Sequence, residues 1–320
     1  MTTTTHDLFG DAAGAQPATP GSYGMPPGGY RLPASTRLGP VQLQVADLAR
    51  SLAFYEGVLG FRTLARDDAR VTLGAQAPVV GGEAPALVEL VEHPGARPMT
   101  PGARLGLYHV AILLPDRAAL GRFVRHLSAV GARAGAGDHH VSEAFYLHDP
   151  DGLGIEVYAD RPRDAWRRVG RELMMATDPV DVRGLVRAVG DAPWTGMPAG
   201  TTVGHVHLHV GDVAGAAAFY AEGLGFDRTV WSYPGALFLS AGGYHHHLGT
   251  NTWAGPRAQA PRPDDARLLE WAIVLPDAAD VRAAAGRLAR AGHATEEGGG
   301  GDVVATDPWG TRVRLAAAAA

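Results

Sequence analysis

The sequence predicts an α+β protein in which one βαβββ unit is repeated four times, folding into two cupped mixed sheets. Two internal matches carry that prediction. Pro40 to Asp47, Phe54-Tyr55 and Leu59-Gly60-Phe61 recur as His205 to Asp212, Phe219-Tyr220 and Leu224-Gly225-Phe226, every matched pair the same distance apart. A second pattern, Tyr108-His109 to Pro115-Asp116 with Asp149-Pro150-Asp151-Gly152, returns as Leu269-Glu270 to Pro276-Asp277 with Asp307-Pro308-Trp309-Gly310. The matches divide the chain into modules A (37–95), B (106–160), C (203–255) and D (267–315). With 46% hydrophobic and 19% charged residues over 320 positions, the chain has enough apolar side chains to bury a core in each half.

Residues 1–36, rich in Thr, Gly and Pro, read as a flexible tail, because that composition offers little apolar surface against the entropy of ordering. Tyr30 and Leu32 near its end could pack on the body. Module A opens with an alternating strand, and Asp47 stands where a helix N-cap belongs. Leu48, Leu52, Tyr55 and Leu59 then follow as one apolar stripe. In module B the cap is Asp116, the stripe is Leu120, Phe123, Val124 and Leu127, and Gly131 ends the helix. Residues 161–200 read as a linker, with a helical pattern around Trp166 to Met174 and then a Pro/Gly-rich stretch. Module C starts with a strand whose Val206, Leu208 and Val210 point one way and His205, His207 and His209 the other. Its helix begins after Asp212 and carries Val213, Ala217, Tyr220 and Leu224. Module D mirrors module B from Asp277 to Gly292. In chain order this gives a domain at 37–160 (A and B) and another at 201–315 (C and D).

Composition narrows the chemistry. With no cysteine, disulfides, thiolate metal sites, iron–sulfur clusters and cysteine nucleophiles are all excluded, so any metal is held by His, Asp, Glu or main-chain oxygen. A net charge of −5 without a Lys/Arg run argues against nucleic acid or an anionic membrane as partner. No stretch approaches the roughly 20 apolar residues of a membrane helix, and Met1 to His6 lacks the basic start and apolar core of a signal peptide. The expectation is a soluble cytoplasmic protein acting on a small molecule.

At Gly204-His205-Val-His-Leu-His209, Ala241-Gly-Gly-Tyr-His-His-His247, and Asp149-Pro-Asp-Gly152 with Glu156-Val-Tyr158, the chain resembles the vicinal oxygen chelate superfamily. That superfamily holds glyoxalases, bleomycin-binding proteins and extradiol ring-cleaving dioxygenases. Within it, the four-module catechol 2,3-dioxygenases are the nearest likeness, over about residues 37–315. The resemblance implies metal ligands seven positions before the capping Asp of a first strand, and a Glu on the last strand after the Asp-Pro-x-Gly turn. Module B has both, His109 and Glu156, and module C has His205. Modules A and D, with Pro40, Glu270 and Arg314 at these positions, have lost the set.

If modules pair in chain order, these ligands fall in different halves. If B pairs with C across the linker, His109, Glu156 and His205 converge into the two-His-one-carboxylate face that holds non-haem Fe(II) and leaves positions open, and that arrangement is the one expected. Mn(II) accepts the same donors. Taken singly, a strand histidine is more often structural than ligating. Three imidazoles on one face are hard to explain as core, since each ring brings two nitrogens that need partners. The resemblance also implies an acid/base His in the 245–247 cluster, where His246 aligns best. It implies an active-site Tyr, for which Tyr146 is the candidate, with His139 beside it. His245 and His247 are left as candidate substrate contacts, and which of the three imidazoles faces the pocket stays open. The implied partners are an aromatic diol and O2, in a protein that self-associates. The implied reaction inserts O2 beside the diol and opens the ring. A glyoxalase-like isomerase with a second carboxylate ligand and a metal-free sequestering protein are the alternatives.

Overall fold

Each predicted module folds as a strand, a helix and three further strands. The computed structural model describes residues 3–9, 14–78, 82–100 and 102–318. The four capping aspartates all accept a main-chain N–H from the first helical turn: Asp47 from Arg50 at 2.8 Å, Asp116 from Ala119 at 2.6 Å, Asp212 from Gly215 at 2.6 Å and Asp277 from Asp280 at 3.0 Å. Each such cap is worth about 1 kcal/mol. The helices of B and D are regular, at Arg117–Ala129 and Ala278–Arg290. Those of A and C start as Leu48–Phe54 and Val213–Ala216, then widen into π-helical turns, Tyr55–Leu59 and Ala217–Leu224, each stopped by a left-handed glycine, Gly60 or Gly225.

The sheets do not follow chain order. One eight-stranded sheet runs Asp227–Val230, Ala236–Ser240, Leu248–Asn251, Thr202–His209, Gly106–Leu113, Gly154–Asp160, Ser142–His148, Gly135–Asp138, and so joins C to B. The other runs Thr295–Glu297, Val303–Thr306, Arg312–Ala317, Arg267–Leu275, Arg37–Val45, Ala86–Glu92, Arg70–Gly74, Arg62–Arg66, and joins D to A. In both, the two first strands meet antiparallel at the centre. A division at 37–160 and 201–315 therefore cuts through both sheets. What links A to B and C to D is side chains: Tyr55 donates to Asp149 at 3.2 Å and Tyr220 to Asp307 at 2.8 Å, each reaching the Asp-Pro-x-Gly turn of the next module. One continuous apolar core, with Leu43, Tyr55, Leu59, Phe123, Phe219, Tyr220, Trp271 and Leu288 fully or nearly fully buried, fills the space between sheets and helices.

Two local expectations are corrected. Within the tail, residues 1–2 and 10–13 lie outside the described set, but 14–36 pack on the body. Gln16–Pro17 pairs with Arg167–Arg168, Tyr23 and Leu32 are buried, and Arg31 forms a two-pronged ion pair with Asp227. The prolines pre-set the extended backbone, so a few anchors suffice to order it. In the linker, Trp166–Met174 is not helical. It forms the hairpin Arg167–Val169 and Glu172–Leu173, turning at Gly170 with φ 60°, and the linker's α-helix comes later, at Val182–Arg187.

Candidate metal centre

The central seam of the B–C sheet brings three ligand-bearing side chains to one point. His109 sits on the first strand of B and His205 on that of C, where a register shift lies between His207 and Leu208. Glu156 lies on the neighbouring strand, opposite Ala111. His109 Nε2 is 3.0 Å from Glu156 Oε2, His205 Nε2 is 3.3 Å from the same oxygen, and the two Nε2 atoms are 3.3 Å apart. All three residues are at most 5% exposed. Burial works to raise the pKa of Glu156, but the imidazoles of His205 and His109 hold it well below the usual carboxylate range. Burial pushes His205 down to about 4 against the pull of Glu156. Two nitrogens and one oxygen pointing at a common centre are poorly served by protons, because two Nε2–H groups would face each other. A divalent cation satisfies all three lone pairs together, so the donor set fits a metal.

The matched positions elsewhere explain why one metal set remains. In module C the residue in the place of Glu156 is Gly249, opposite His207, and a side chain there would meet the His207 ring at 2.8 to 3.0 Å. In the D–A sheet the corresponding places hold Pro40, Glu89, Glu270 and Arg314, and the Arg314 guanidinium ion-pairs with Glu270 at 2.6 Å. An arginine supplies there the positive charge that the B–C seam lacks.

A cavity of about 920 Å³ opens over the triad. His246, Tyr146 and His139, picked from sequence, all line it. His139 Nδ1 lies 2.7 Å from the Ala176 carbonyl, which accepts only, so that nitrogen carries a proton. Burial pulls His139 below its ordinary value, leaving Nε2 free to accept from the Tyr146 hydroxyl at 2.5 Å. Burial, then Glu156, pushes the Tyr146 phenol well up, so it keeps its proton.

His245 and His247 do not reach the cavity, and their candidate role as substrate contacts finds no support in the fold. The segment 241–247 is a loop rather than a strand end, turned by Gly242 and Gly243 at φ 63° and 67°, so alternation does not apply. His247 faces inward, its Nδ1 accepting from the Ala241 N–H at 3.2 Å, and burial lowers its pKa to about 3. His245 stands behind His246. Its Nε2 donates to Asp160 at 3.0 Å, and its Nδ1 is 2.7 Å from His246 Nδ1. A carboxylate only accepts, so a singly protonated His245 accepts at Nδ1. The proton between the two rings then belongs to His246 Nδ1, and His246 Nε2 is a lone pair.

Sequence reasoning missed Asp160, although it shares a strand face with Glu156 and Tyr158. It also missed Asn251, which has no such pattern.

The model of the Glyoxalase/Bleomycin resistance protein/Dioxygenase superfamily matches residues 37–157 and 202–315. The chain is 46% identical over 267 residues to catechol-2,3-dioxygenase of Bacillus subtilis (strain 168), covering 82% of this chain and 90% of that one. Among solved structures, a Bacillus subtilis protein superposes with a TM-score of 0.60 at 14% identity, covering 90% of this chain and 86% of that one. Glyoxalase I from Zea mays gives 0.52 at 19%, covering 88% and 92%. The two structures share the fold.

Proposed function

The chain belongs to the glyoxalase/bleomycin resistance protein/dioxygenase superfamily, and on that premise we propose that it is an extradiol dioxygenase that opens a catechol-type ring with O2. The observation that carries this reading is the buried convergence of His109, Glu156 and His205 in a chain 46% identical to a catechol-2,3-dioxygenase. The donors suit Fe(II), with Mn(II) accepted by the same set, and such a cation would acidify a ligating diol hydroxyl and offer open positions beside the three ligands. The glyoxalase-like alternative needs a second carboxylate, and the place for it is Gly249.

The surrounding residues supply proton handling. His246 Nε2, a lone pair backed by His245 and Asp160, is the general base for the remaining diol proton and can return it to a leaving oxygen. Tyr146 keeps its proton, donating it in a hydrogen bond to His139 Nε2, and presents oxygen lone pairs to the cavity, so that the pair orients the substrate. Phe238, Tyr233 and Trp253 exclude water around them. The reading includes a cytoplasmic enzyme and, as the family resemblance implies, one that self-associates; light scattering on the purified chain tests the association.

The test is protein reconstituted with Fe(II) under nitrogen and mixed with a panel of catechols in air. Ring-opened product, seen as a yellow absorbance with matching O2 uptake, is the expected result. No product from any catechol, with one iron bound per chain, overturns the proposal.

A further inference from the structure

The cavity is larger than a single ring requires, and one part of its wall offers a hydrogen-bond acceptor. Its volume of about 920 Å³ lies near the top of the roughly 300–1,000 Å³ range of small-molecule sites. His205, His207 and His209 share one strand face, and two residues of strand advance about 6.8 Å, so the backbone of His209 lies roughly 14 Å along the strand from that of His205. Tyr108 packs against His209, with ring centroids 4.7 Å apart, and Trp253 stands edge-on to Tyr108 at 5.7 Å. All three line the cavity.

Asn251, fully buried, determines what His209 presents. The main-chain N–H of Trp253, an obligatory donor, points at one end of the Asn251 amide at 3.0 Å, so that end is the carbonyl oxygen. The same oxygen is 2.6 Å from His209 Nδ1, which must therefore carry a proton. The NH2 end donates to His207 Nε2 at 2.9 Å, which takes that nitrogen out of reach of metal or substrate. One amide thus assigns both rings. His209 Nε2 is left as a lone pair that makes no hydrogen bond to another described residue, in a residue that lines the cavity. Arg104, the cationic group on this wall, donates its Nε to Asp265 at 2.7 Å.

We propose that the natural substrate is a catechol whose ring bears a substituent ending in a hydrogen-bond donor such as a hydroxyl, and that His209 Nε2, oriented by Asn251, accepts it. The inference rests on the diol-cleaving reading for the near end of the site and on the Asn251 geometry for the far end. A site built around an acceptor discriminates against an analogue lacking the donor, because an apolar substituent there strips water from the lone pair and offers no replacement.

The test compares 4-(3-hydroxypropyl)catechol, 4-butylcatechol and 3-(3,4-dihydroxyphenyl)propanoate, by anaerobic calorimetric binding to Fe(II)-loaded protein and by kcat/KM in air. The hydroxyl compound is expected to exceed the butyl compound about tenfold in both measurements. In His209→Phe that ratio falls to near one, in Asn251→Leu it falls part of the way, and in His209→Gln, which keeps an acceptor, it is partly restored. A wild-type ratio near one, a ratio unchanged in His209→Phe, or preference for the carboxylate overturns the proposal. Preferential binding of the hydroxyl compound without ring-opened product would sink the dioxygenase reading and leave the subsite standing. Equal cleavage of all three would do the reverse.

Discussion

Glu156 is the residue on which the site turns. Its carboxylate is buried among two imidazoles, and removing its charge leaves only two imidazole donors, a weak metal site. Glu156→Gln is therefore expected to lower bound metal from about one per chain to below a tenth, with an affinity loss on the order of 100-fold or more, as read by elemental analysis after dialysis. Retention of a full equivalent would show that the metal sits elsewhere. Behind the cavity, Asp160 fixes the proton of His245 and, through it, that of His246. Asp160→Ala should lower kcat about tenfold while KM changes less than twofold, because ring orientation is lost and substrate contacts are not. An unchanged kcat would mean that the relay plays no part. His109, Glu156 and His205 were legible through the family resemblance, which places such ligands at a countable distance from a capping aspartate or a turn, and the fold brings the three together. The 245–247 cluster was not, since two left-handed glycines break the alternation that would have sorted its faces.

At the level of elements, strand register decides what each module contributes. Gly249 takes the place of a second glutamate in module C and lets the His207 ring lie flat against the strand, with Nε2 on Asn251. Gly249→Ala puts a methyl group within 3.0 Å of that ring. It should cost about 1–3 kcal/mol in thermal unfolding and weaken His207's bond to Asn251. A stability within a few tenths of wild type would show that the ring has room to move. The four helices could be read from their caps and stripes, although the widening of two into π-helical turns left no mark in the residue pattern. The linker misled because Trp166 to Met174 has a helix-like spacing, whereas Gly170 and the waiting edge at Gln16–Pro17 make a hairpin there. Leu32 packs on the body as its sequence allowed, but ordering of the rest of the tail depended on Tyr23 finding a pocket there, which composition cannot report.

Across the whole molecule, the four-unit architecture is plain in the repeats. The pairing of B with C is not, because either pairing buries the same apolar faces. The ligands alone favoured the arrangement found. Concentrating histidines in one buried seam has a thermodynamic consequence. Burial holds His139, His205, His207, His209, His246 and His247 below their unfolded values near 6.5, reaching about 4 for His205 and about 3 for His247. The unfolded chain thus binds more protons below pH 6.5, so the stability from these six groups is full above that pH and is lost as pH falls toward 4. Buried Asp149, raised to about 6, and Asp307, also raised, act in the opposite sense, but they are two against six. The melting temperature of metal-free protein should fall by several degrees per pH unit from 6.5 to 4.5, and a flat profile would contradict the burial of the cluster.

The central claim is that this seam holds a metal at which O2 opens an aromatic diol. Mass spectrometry of the product formed from catechol under 18O2 by the Fe(II)-loaded protein tests it most directly. A ring-opened muconic semialdehyde carrying both labelled oxygens is the predicted result. A product with no label, or an isomer of the substrate, would contradict it.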